Sequence, residues 1–172
     1  MGYPAKAIAN YFLALARKEG KELSPLQIQK LVYIAHGWYL ALYGIENPLV
    51  HDEYAEAWEY GPVFPSLYHE FKEFGAGSIS RFAVETQYVD FLEEKWTTEV
   101  PSIKENDLKT QAFLDHIWNL HKGLSGGQLI NLTHKENSPW EQTRNESGNI
   151  RNADIDNRVI EKYYRDQLRV TE

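Results

Sequence analysis

The spacing of apolar side chains predicts helices over most of this chain. Near the N-terminus, apolar residues recur three or four positions apart, namely Ile8, Tyr11, Phe12 and Leu15. This spacing places them in one stripe on a helix surface. Gly20 favours the end of that helix, because glycine readily adopts the conformation that follows a helix C-terminus. The first predicted element is therefore an amphipathic helix.

The second predicted helix, at about residues 25–43, has a well-marked start and is apolar on almost every side. Ser24 can cap the helix, Pro25 suits its first position, and Gln27 can reach back to the cap. Because apolar residues surround it, we expect this helix to be the central and most buried one. Gly37 within it costs up to about 1 kcal/mol relative to alanine, and a close helix crossing would explain that cost.

The middle of the chain breaks the helical pattern. Residues 53–60 alternate loosely between aromatic and acidic side chains, which predicts a short strand that ends at Gly61-Pro62. A short helix is expected over residues 65–74, and a small hairpin within residues 81–100.

Four further helices are expected in the C-terminal part, and the last of them carries Ile155, Val159, Ile160, Tyr163 and Tyr164. The predicted fold class is therefore mainly α, a compact single-domain helical bundle spanning residues 1–172. Its central buried helix lies at about residues 25–43, and its small β element, a strand or hairpin, lies within about 53–60 and 81–100.

The stretch Leu-Ser-Gly-Gly-Gln at residues 124–128 matches the string that marks ABC-type ATPases. Such an enzyme also needs a G-x-x-x-x-G-K-[ST] loop to hold the phosphates, and the sequence has none. Ser125 followed three residues later by Gln128 is instead a capping box, with the same layout as Ser24 and Gln27. We therefore interpret the stretch as the start of a helix.

Composition narrows the class of protein further. The absence of cysteine excludes disulfides and thiolate metal sites. The chain has no run of about 18 apolar residues, the length that is needed to cross a membrane. Lys6, Asn10 and Arg17 interrupt the N-terminal apolar stretch, so no signal peptide is predicted. We expect a cytoplasmic protein without membrane contact.

No residue pattern points to catalysis, a metal or a cofactor. The six histidines include no H-x-x-x-H pair, and the chain has no G-x-S-x-G stretch. The favoured interpretation of His36, on the buried helix, is a hydrogen-bonded core imidazole. We expect neither an enzyme nor a cofactor-binding protein.

Charge is unevenly distributed along the chain. Residues 45–107 carry fourteen acidic and four basic side chains, within a net charge of −7 for the whole chain. An acidic surface repels nucleic acid and could attract a basic protein, although a merely solvated surface is the alternative. The last helix carries a basic stripe of Arg158, Lys162, Arg165 and Arg169. This stripe fits either DNA binding or surface salt bridges with nearby acidic residues.

Three stretches together resemble one known family. They are Leu26-x-x-x-Lys30-Leu31-x-Tyr33-x-Ala35-x-Gly37-Trp38, Glu56-Ala57-Trp58-x-Tyr60-Gly61-Pro62-Val63-x-Pro65-x-x-Tyr68, and Leu132-Thr133-His134-x-Glu136-x-Ser138-Pro139-Trp140. Their order and spacing resemble the Panacea domain family, the SocA-like and GepA-like antitoxins found on phages and mobile elements. The resemblance extends from about residue 4 to the final helix.

The resemblance implies a mostly α domain that acts as the antitoxin of a type II toxin–antitoxin pair. Such a protein neutralises the toxin encoded by a neighbouring gene through direct contact, and the toxins of the family include inhibitors of translation. One branch instead delivers its toxin to the ClpXP protease, so a proteolytic adaptor is the first alternative. A DNA-binding autorepressor is the second.

We expect the shared motif residues to pack the core, since a domain that meets many toxins would contact them through its variable surface. These motif residues are Lys30, Tyr33, Trp38, Trp58, Tyr60, Gly61, Pro62, Tyr68, His134, Ser138, Pro139 and Trp140. The predicted toxin contact is an acidic set that would attract a basic toxin face. Its members are Glu53, Glu56, Glu59, Glu70 and Glu73.

Overall fold

Seven α-helices make up about half of the computed structural model, which describes residues 2–148 and 150–169. They are α1 (Ala5–Lys18), α2 (Pro25–Tyr43), α3 (Pro65–Phe71), α4 (Leu108–His121), α5 (Gly126–Thr133), α6 (Pro139–Glu146) and α7 (Asn157–Arg169). A single 3-10 turn, Lys72–Phe74, follows α3. The mainly α class predicted from the sequence is confirmed.

Helix α2 lies at the centre of the structure. Thirteen of its 19 residues are buried, including polar ones such as Gln29 and His36. At its start, the Ser24 hydroxyl accepts the Gln27 N–H at 3.2 Å, and the Gln27 side chain accepts the Ser24 N–H at 2.9 Å. The predicted capping box and the central buried helix are both confirmed.

A small three-stranded antiparallel sheet covers one end of α2. Its strands are β1 (Glu56–Trp58), β2 (Gly61–Val63) and β5 (Ala153–Asp154), in the order β2-β1-β5. The sequence predicted that Gly61-Pro62 ends the strand, and this was wrong, because both residues begin β2 and Pro62 pairs with Ala57. Proline is tolerated there because β2 is an edge strand.

The start of the last helix also differs from the prediction. Ile155 precedes α7 rather than lying in it, and its N–H donates to the Ala55 carbonyl at 2.7 Å. This bond extends the pairing of β1 with β5, and the Ile155 side chain is fully buried below the sheet. Strand β5 was missed because two residues are too short to show an alternating pattern.

The predicted hairpin within residues 81–100 is present as β3 (Glu85–Asp90) and β4 (Lys95–Glu99). Among the described residues, these two strands pair only with each other. Their side chains are mostly exposed on both faces, so the hairpin projects from the helical core as an arm. We call residues 85–99 the hairpin arm.

His36 joins three segments of the core. The Val50 N–H donates to its Nδ1 at 3.2 Å, and its Nε2 lies 3.0 Å from the Asn157 side-chain oxygen. Since Nδ1 accepts, the neutral ring carries its proton on Nε2 and donates it to Asn157. Burial lowers the pKa of His36 to about 4, although the bond to Asn157 acts in the opposite direction. The prediction of a hydrogen-bonded core imidazole is confirmed.

Candidate functional site

The three motif stretches meet around Gly61, at the turn between β1 and β2. A Cβ on Gly61 would lie 2.6 Å from both Lys30 Nζ and His134 Nε2, and the backbone φ of this residue is +116°. Both facts favour glycine, because any side chain would collide with these nitrogens and the left-handed region strains other residues. Gly61 therefore allows α2 and the end of α5 to approach the turn closely.

Lys30 is a buried cation on α2. Only 1% of the residue is exposed, and its ammonium donates one hydrogen bond, to the Pro62 carbonyl at 3.1 Å. In the described parts of the chain it forms no ion pair with a carboxylate. Burial lowers the pKa of Lys30 to about 8. An ammonium group without a counter-ion in such a place lowers the stability of the fold.

His134 forms the other side of this arrangement. Its ring stacks on Trp140, with 4.0 Å between ring centroids and 5° between planes. Its Nε2 is buried and has no hydrogen-bond partner among the described residues. Burial lowers the pKa of His134, the charges of Lys30 and Arg144 lower it further, and the backbone of Tyr60 acts in the opposite direction. Both cations therefore lie close enough to the His134 ring to lower its pKa.

A cleft of about 820 Å³ opens beside Lys30, and we call it the Lys30 cleft. Trp58 and Tyr68 form an aromatic wall, with ring centroids 4.8 Å apart. The charged side chains that line the cleft are Lys30, Lys72, Arg144, Arg151 and Glu59. Among the described residues that line it, four cations thus accompany one carboxylate. This local excess of positive charge is opposite to the net charge of the chain.

The motif residues occupy two kinds of position. Some pack or cap: Tyr33 and Trp38 contact Tyr164, Pro62 is buried in β2, Ser138 caps α6, and Pro139 begins that helix. Others line the cleft, namely Lys30, Trp58, Tyr60 and Tyr68. Tyr60 is 75% exposed because it occupies the turn between β1 and β2. The sequence did not indicate that motif residues share a cleft with Lys72, Arg144 and Arg151, which come from three separate segments.

The predicted acidic contact set is spread over several elements. Glu53 accepts hydrogen bonds from the N–H and the hydroxyl of Ser66, near the start of α3. Burial raises the pKa of Glu53, and these two bonds act in the opposite direction. Glu56 accepts the Trp58 indole N–H at 2.6 Å. Glu59 is exposed in the turn and has no ion pair with any described residue.

Glu70 and Glu73 share the guanidinium of Arg81, each with a nitrogen-to-oxygen distance of 2.6 Å. Glu70 also lies 3.3 Å from Lys6 Nζ. Burial would raise the pKa of Glu70, but the hydrogen bonds from Arg81 and the Val84 N–H hold it below its ordinary value. Four of the five acidic residues thus have partners within the chain, and the contact of all five with a toxin stays a prediction.

The tip of the hairpin arm presents large apolar side chains to solvent. Phe91 is 85% exposed, Leu92 is 96% exposed and Trp96 is 59% exposed. The Tyr88 ring contacts those of Phe91 and Trp96, with 4.4 Å between centroids in each case. We did not predict this surface from the sequence, although two adjacent apolar residues in the turn of a predicted hairpin were a signal for it.

The base of the arm, unlike its tip, is firmly attached to α1. The Asn10 side chain exchanges two hydrogen bonds with the backbone of Ala83, at 3.0 and 2.7 Å, and donates a third to the Pro101 carbonyl at 2.9 Å. Lys6 donates to the Val84 carbonyl at 3.0 Å and pairs with Glu85 at 3.1 Å. The arm is thus held at both of its ends, and its apolar tip remains open to a partner.

Three of the four cations in the basic stripe on α7 form local ion pairs. Arg158 pairs with Asp156 at 2.7 Å, Lys162 pairs with Asp166 at 2.7 Å, and Arg165 pairs with Glu161. These three contacts agree with the salt-bridge interpretation of the stripe.

The Leu-Ser-Gly-Gly-Gln stretch begins α5. The Ser125 hydroxyl accepts the Gln128 N–H at 3.2 Å, and the Gln128 side chain accepts the Ser125 N–H at 2.8 Å. The predicted capping box is confirmed. Elsewhere in the described chain, no three His, Asp or Glu side chains are grouped so as to hold a metal ion. None of the described helices is both long and apolar enough to span a bilayer.

Comparison with known proteins adds a family relationship. A family model described as "Antitoxin SocA-like, Panacea domain" matches residues 28–141. Antitoxin SocA of Caulobacter vibrioides (strain NA1000 / CB15N) is 29% identical over 165 residues, which cover 96% of this chain and 82% of that protein. No solved structure matches the chain. The matched range contains Lys30, Gly61 and His134, the three residues that meet beside the cleft.

Proposed function

The chain belongs to the antitoxin SocA-like, Panacea domain family, and from that premise we propose that it neutralises a protein toxin by binding it directly. The toxin is the product of a neighbouring gene and an inhibitor of translation, so that the two proteins form a type II pair in the cytoplasm. The antitoxin acts by covering the toxin and contributes no chemistry of its own.

The exposed apolar tip of the hairpin arm is the observation that carries this proposal. Water contact with side chains such as Phe91 and Leu92 is unfavourable by roughly 25 cal/mol for each Å² of apolar surface. Contiguous exposed apolar groups on a folded protein are typical of interaction sites. A partner that buries this tip would recover that free energy, so we assign the toxin contact to the hairpin arm.

The charge of the arm describes the toxin surface that would fit it. Its charged side chains are Glu85, Asp90, Glu93, Glu94, Lys95 and Glu99. The arm thus carries five carboxylates against a single lysine, and three of them, Asp90, Glu93 and Glu94, lie beside the apolar tip. A basic toxin face with an apolar depression would match this arm, and the opposite charges would speed and orient the encounter.

The acidic residues predicted from the sequence remain secondary candidates for the same contact. Glu59 comes first among them, because it is exposed and has no ion pair with any described residue. Glu53, Glu56, Glu70 and Glu73 have partners within the chain, and a toxin would have to compete with those partners. We therefore place the main contact on the arm.

Co-expression with the adjacent gene tests the proposal. The full chain should relieve the toxicity of that gene product, and the two purified proteins should form a complex. A double variant with Phe91→Ser and Leu92→Ser should lose at least about tenfold in affinity, since two large apolar anchors are removed. The matched control changes Leu108→Ser and Leu120→Ser, which are exposed on α4 at 70% and 60%, and should bind as the parent does.

The same purified proteins separate direct inhibition from delivery to a protease. Inhibition of the toxin without any protease present supports neutralisation by occlusion. If toxin activity falls only when a ClpXP-type protease is added, the chain is an adaptor and the occlusion mechanism is wrong. If the chain neither binds nor neutralises the adjacent gene product, the type II pairing is wrong.

A further inference from the structure

The Lys30 cleft has the features of a ligand site, and no residue of the hairpin arm lines it. We infer that this cleft is a receptor for a carboxylate carried on an aromatic or apolar segment of the toxin, as at a peptide C-terminus. This inference rests on the proposed function for the identity of the partner. The chemistry of the ligand is argued from the cleft alone.

The first observation is the unused hydrogen-bonding capacity of Lys30. An ammonium group has three N–H donors, and among the described residues the one hydrogen bond of Nζ is to the Pro62 carbonyl. The side chain is buried at the wall of the cleft, where water cannot solvate the charge fully. An anion that enters the cleft would supply the missing counter-charge and acceptors at once.

The second observation is the charge around the opening. Arg144, Arg151 and Lys72 line the cleft, and none of them pairs with a carboxylate in the described parts of the chain. Some cations outside the cleft, such as Arg81 and Arg158, are paired with acidic neighbours. Four unpaired cations in one cleft of an acidic protein favour a negatively charged occupant.

The third observation is the shape and polarity of the walls. Trp58 and Tyr68 form the aromatic side, while Leu26, Val63 and Leu67 contribute apolar surface. A volume of about 820 Å³ is in the range of sites that enclose small molecules or short peptide segments. An occupant should therefore combine its charge with an apolar or aromatic side chain.

The donor set favours a carboxylate over a phosphate. Phosphate sites in proteins often use backbone N–H groups at a helix start. At the start of α2, Pro25 has no N–H, and the N–H of Gln27 is already bound to Ser24. The charged donors of the cleft are therefore side chains. Arg144 makes a long bond of 3.4 Å to the Ala57 carbonyl, which leaves most of its planar fork available for a carboxylate.

Binding of short peptides to the full chain tests this inference without the toxin. The probes are N-acetylated Ala-Ala-Phe with a free C-terminus and the same peptide with an amidated C-terminus. Nuclear magnetic resonance titration should show saturable shifts of the Trp58 indole N–H with the free acid. Amidation should weaken binding at least about tenfold, because it removes the charge that Lys30 would meet.

Variants of the chain identify the residues responsible. Lys30→Met should weaken binding of the free acid at least about tenfold, and Arg144→Gln should weaken it by about threefold or more. Lys18→Met, a change at an exposed lysine on α1, is the matched control and should leave binding unchanged. Far-ultraviolet circular dichroism of each variant verifies the fold, and Arg144→Gln keeps the test valid if Lys30→Met disturbs it.

Two small anions separate the possible sources of the charge. Phenylacetate, a free carboxylate on an aromatic ring, should compete weakly with the peptide, whereas inorganic phosphate should not compete. Equal binding of the free and amidated peptides, full affinity of Lys30→Met, or stronger competition by phosphate would each overturn the inference.

The toxin then shows whether the two proposals fail together or separately. If the free-acid peptide binds and also weakens the complex with the toxin, the cleft receives a toxin segment. If the chain binds the toxin and the peptide does not affect the complex, the toxin segment is wrong while the proposed antitoxin function stands. If the peptide binds but no toxin does, the proposed function fails and only the carboxylate chemistry of the cleft remains.

Discussion

The ring of Tyr164 on α7 packs directly against the backbone of Gly37 on α2. A Cβ on Gly37 would lie 2.3 Å from Tyr164 Cε2 and 2.6 Å from Cδ2. The contact explains a glycine within a helix, since the loss of helix propensity is offset by a close crossing of two helices. The sequence indicated such a crossing at this residue but not which helix makes it.

Replacement of this glycine should destabilise the fold. Gly37→Ala gains up to about 1 kcal/mol of helix propensity, but its methyl group must displace the buried Tyr164 ring, and overpacking of this kind costs about 1–3 kcal/mol or more. We expect a net loss of about 1–2 kcal/mol in the free energy of unfolding, measured by urea denaturation.

Gly127, in the first turn of α5, provides the control for that experiment. A Cβ there would have its nearest neighbour, Ser125 Oγ, at 3.9 Å, which is an ordinary contact distance. Gly127→Ala should therefore leave stability unchanged or raise it by up to about 1 kcal/mol. A Gly37→Ala protein as stable as Gly127→Ala would contradict the close crossing.

Local rules made most of the helices predictable. Capping residues such as Ser24 and Ser125 act within a few positions of themselves, and helical periodicity can be followed along the sequence. The three-stranded sheet was not predictable in the same way, because its pairing joins Ala57 to Ala153. Such pairing depends on how distant segments of the chain pack, and strands of two or three residues carry almost no periodic signal.

The candidate site escaped prediction for a related reason. Charged residues are normally exposed, so burial of Lys30 is visible only once Gly61 and His134 are placed against it. The resemblance to a family identified these residues, and we expected them to pack the core. The cleft beside them depends on the tertiary arrangement of α2, α3, α6 and the β1–β2 turn.

Loss of the helix cap at Ser125 should affect stability and not nucleotide turnover. The Ser125 hydroxyl binds the Gln128 N–H, and removal of such a cap costs about 0.5–2 kcal/mol. We expect Ser125→Ala to lower the free energy of unfolding by that amount. Ser125→Asp, which keeps a capping oxygen, should retain most of the parent's free energy of unfolding. ATP hydrolysis above background by the parent protein, lost in Ser125→Ala, would contradict this interpretation of the stretch.

Acid should destabilise the fold through His36. Its folded-state pKa of about 4 lies below the ordinary value of 6.5, so between these pH values the unfolded chain binds a proton that the native chain does not. Stability from this group is therefore present above pH 6.5 and is lost as the pH falls towards 4. The full loss is on the order of 3 kcal/mol.

The difference in stability between the parent protein and His36→Gln isolates this effect from other titrations. That difference should shrink by roughly 2–3 kcal/mol between pH 7 and pH 4.5, because glutamine does not titrate. His116→Gln, on the exposed side of α4, should follow the parent at both pH values. A constant difference for His36→Gln would mean that the buried imidazole does not resist protonation.

Burial lowers the pKa of Lys30 as it does that of His36, and this second group belongs to the candidate site. Its folded-state pKa of about 8 lies below the ordinary 10.5. Between these values the unfolded chain binds more protons than the native one, so the contribution of this group to stability increases as the pH rises. Below pH 8 the buried ammonium is charged in both states and weakens the fold.

Lys30→Met should therefore make the protein more stable at pH 7. Removing the buried charge gains on the order of 3 kcal/mol, and loss of the hydrogen bond to the Pro62 carbonyl offsets about 1 kcal/mol. The expected net gain is about 2 kcal/mol at pH 7, and it should disappear as the pH approaches 10.5, as followed by urea denaturation across that range. Greater stability together with weaker binding of the free-acid peptide would show that the lysine serves recognition at the expense of the fold. Lower stability of Lys30→Met at pH 7 would instead assign this buried cation a structural role.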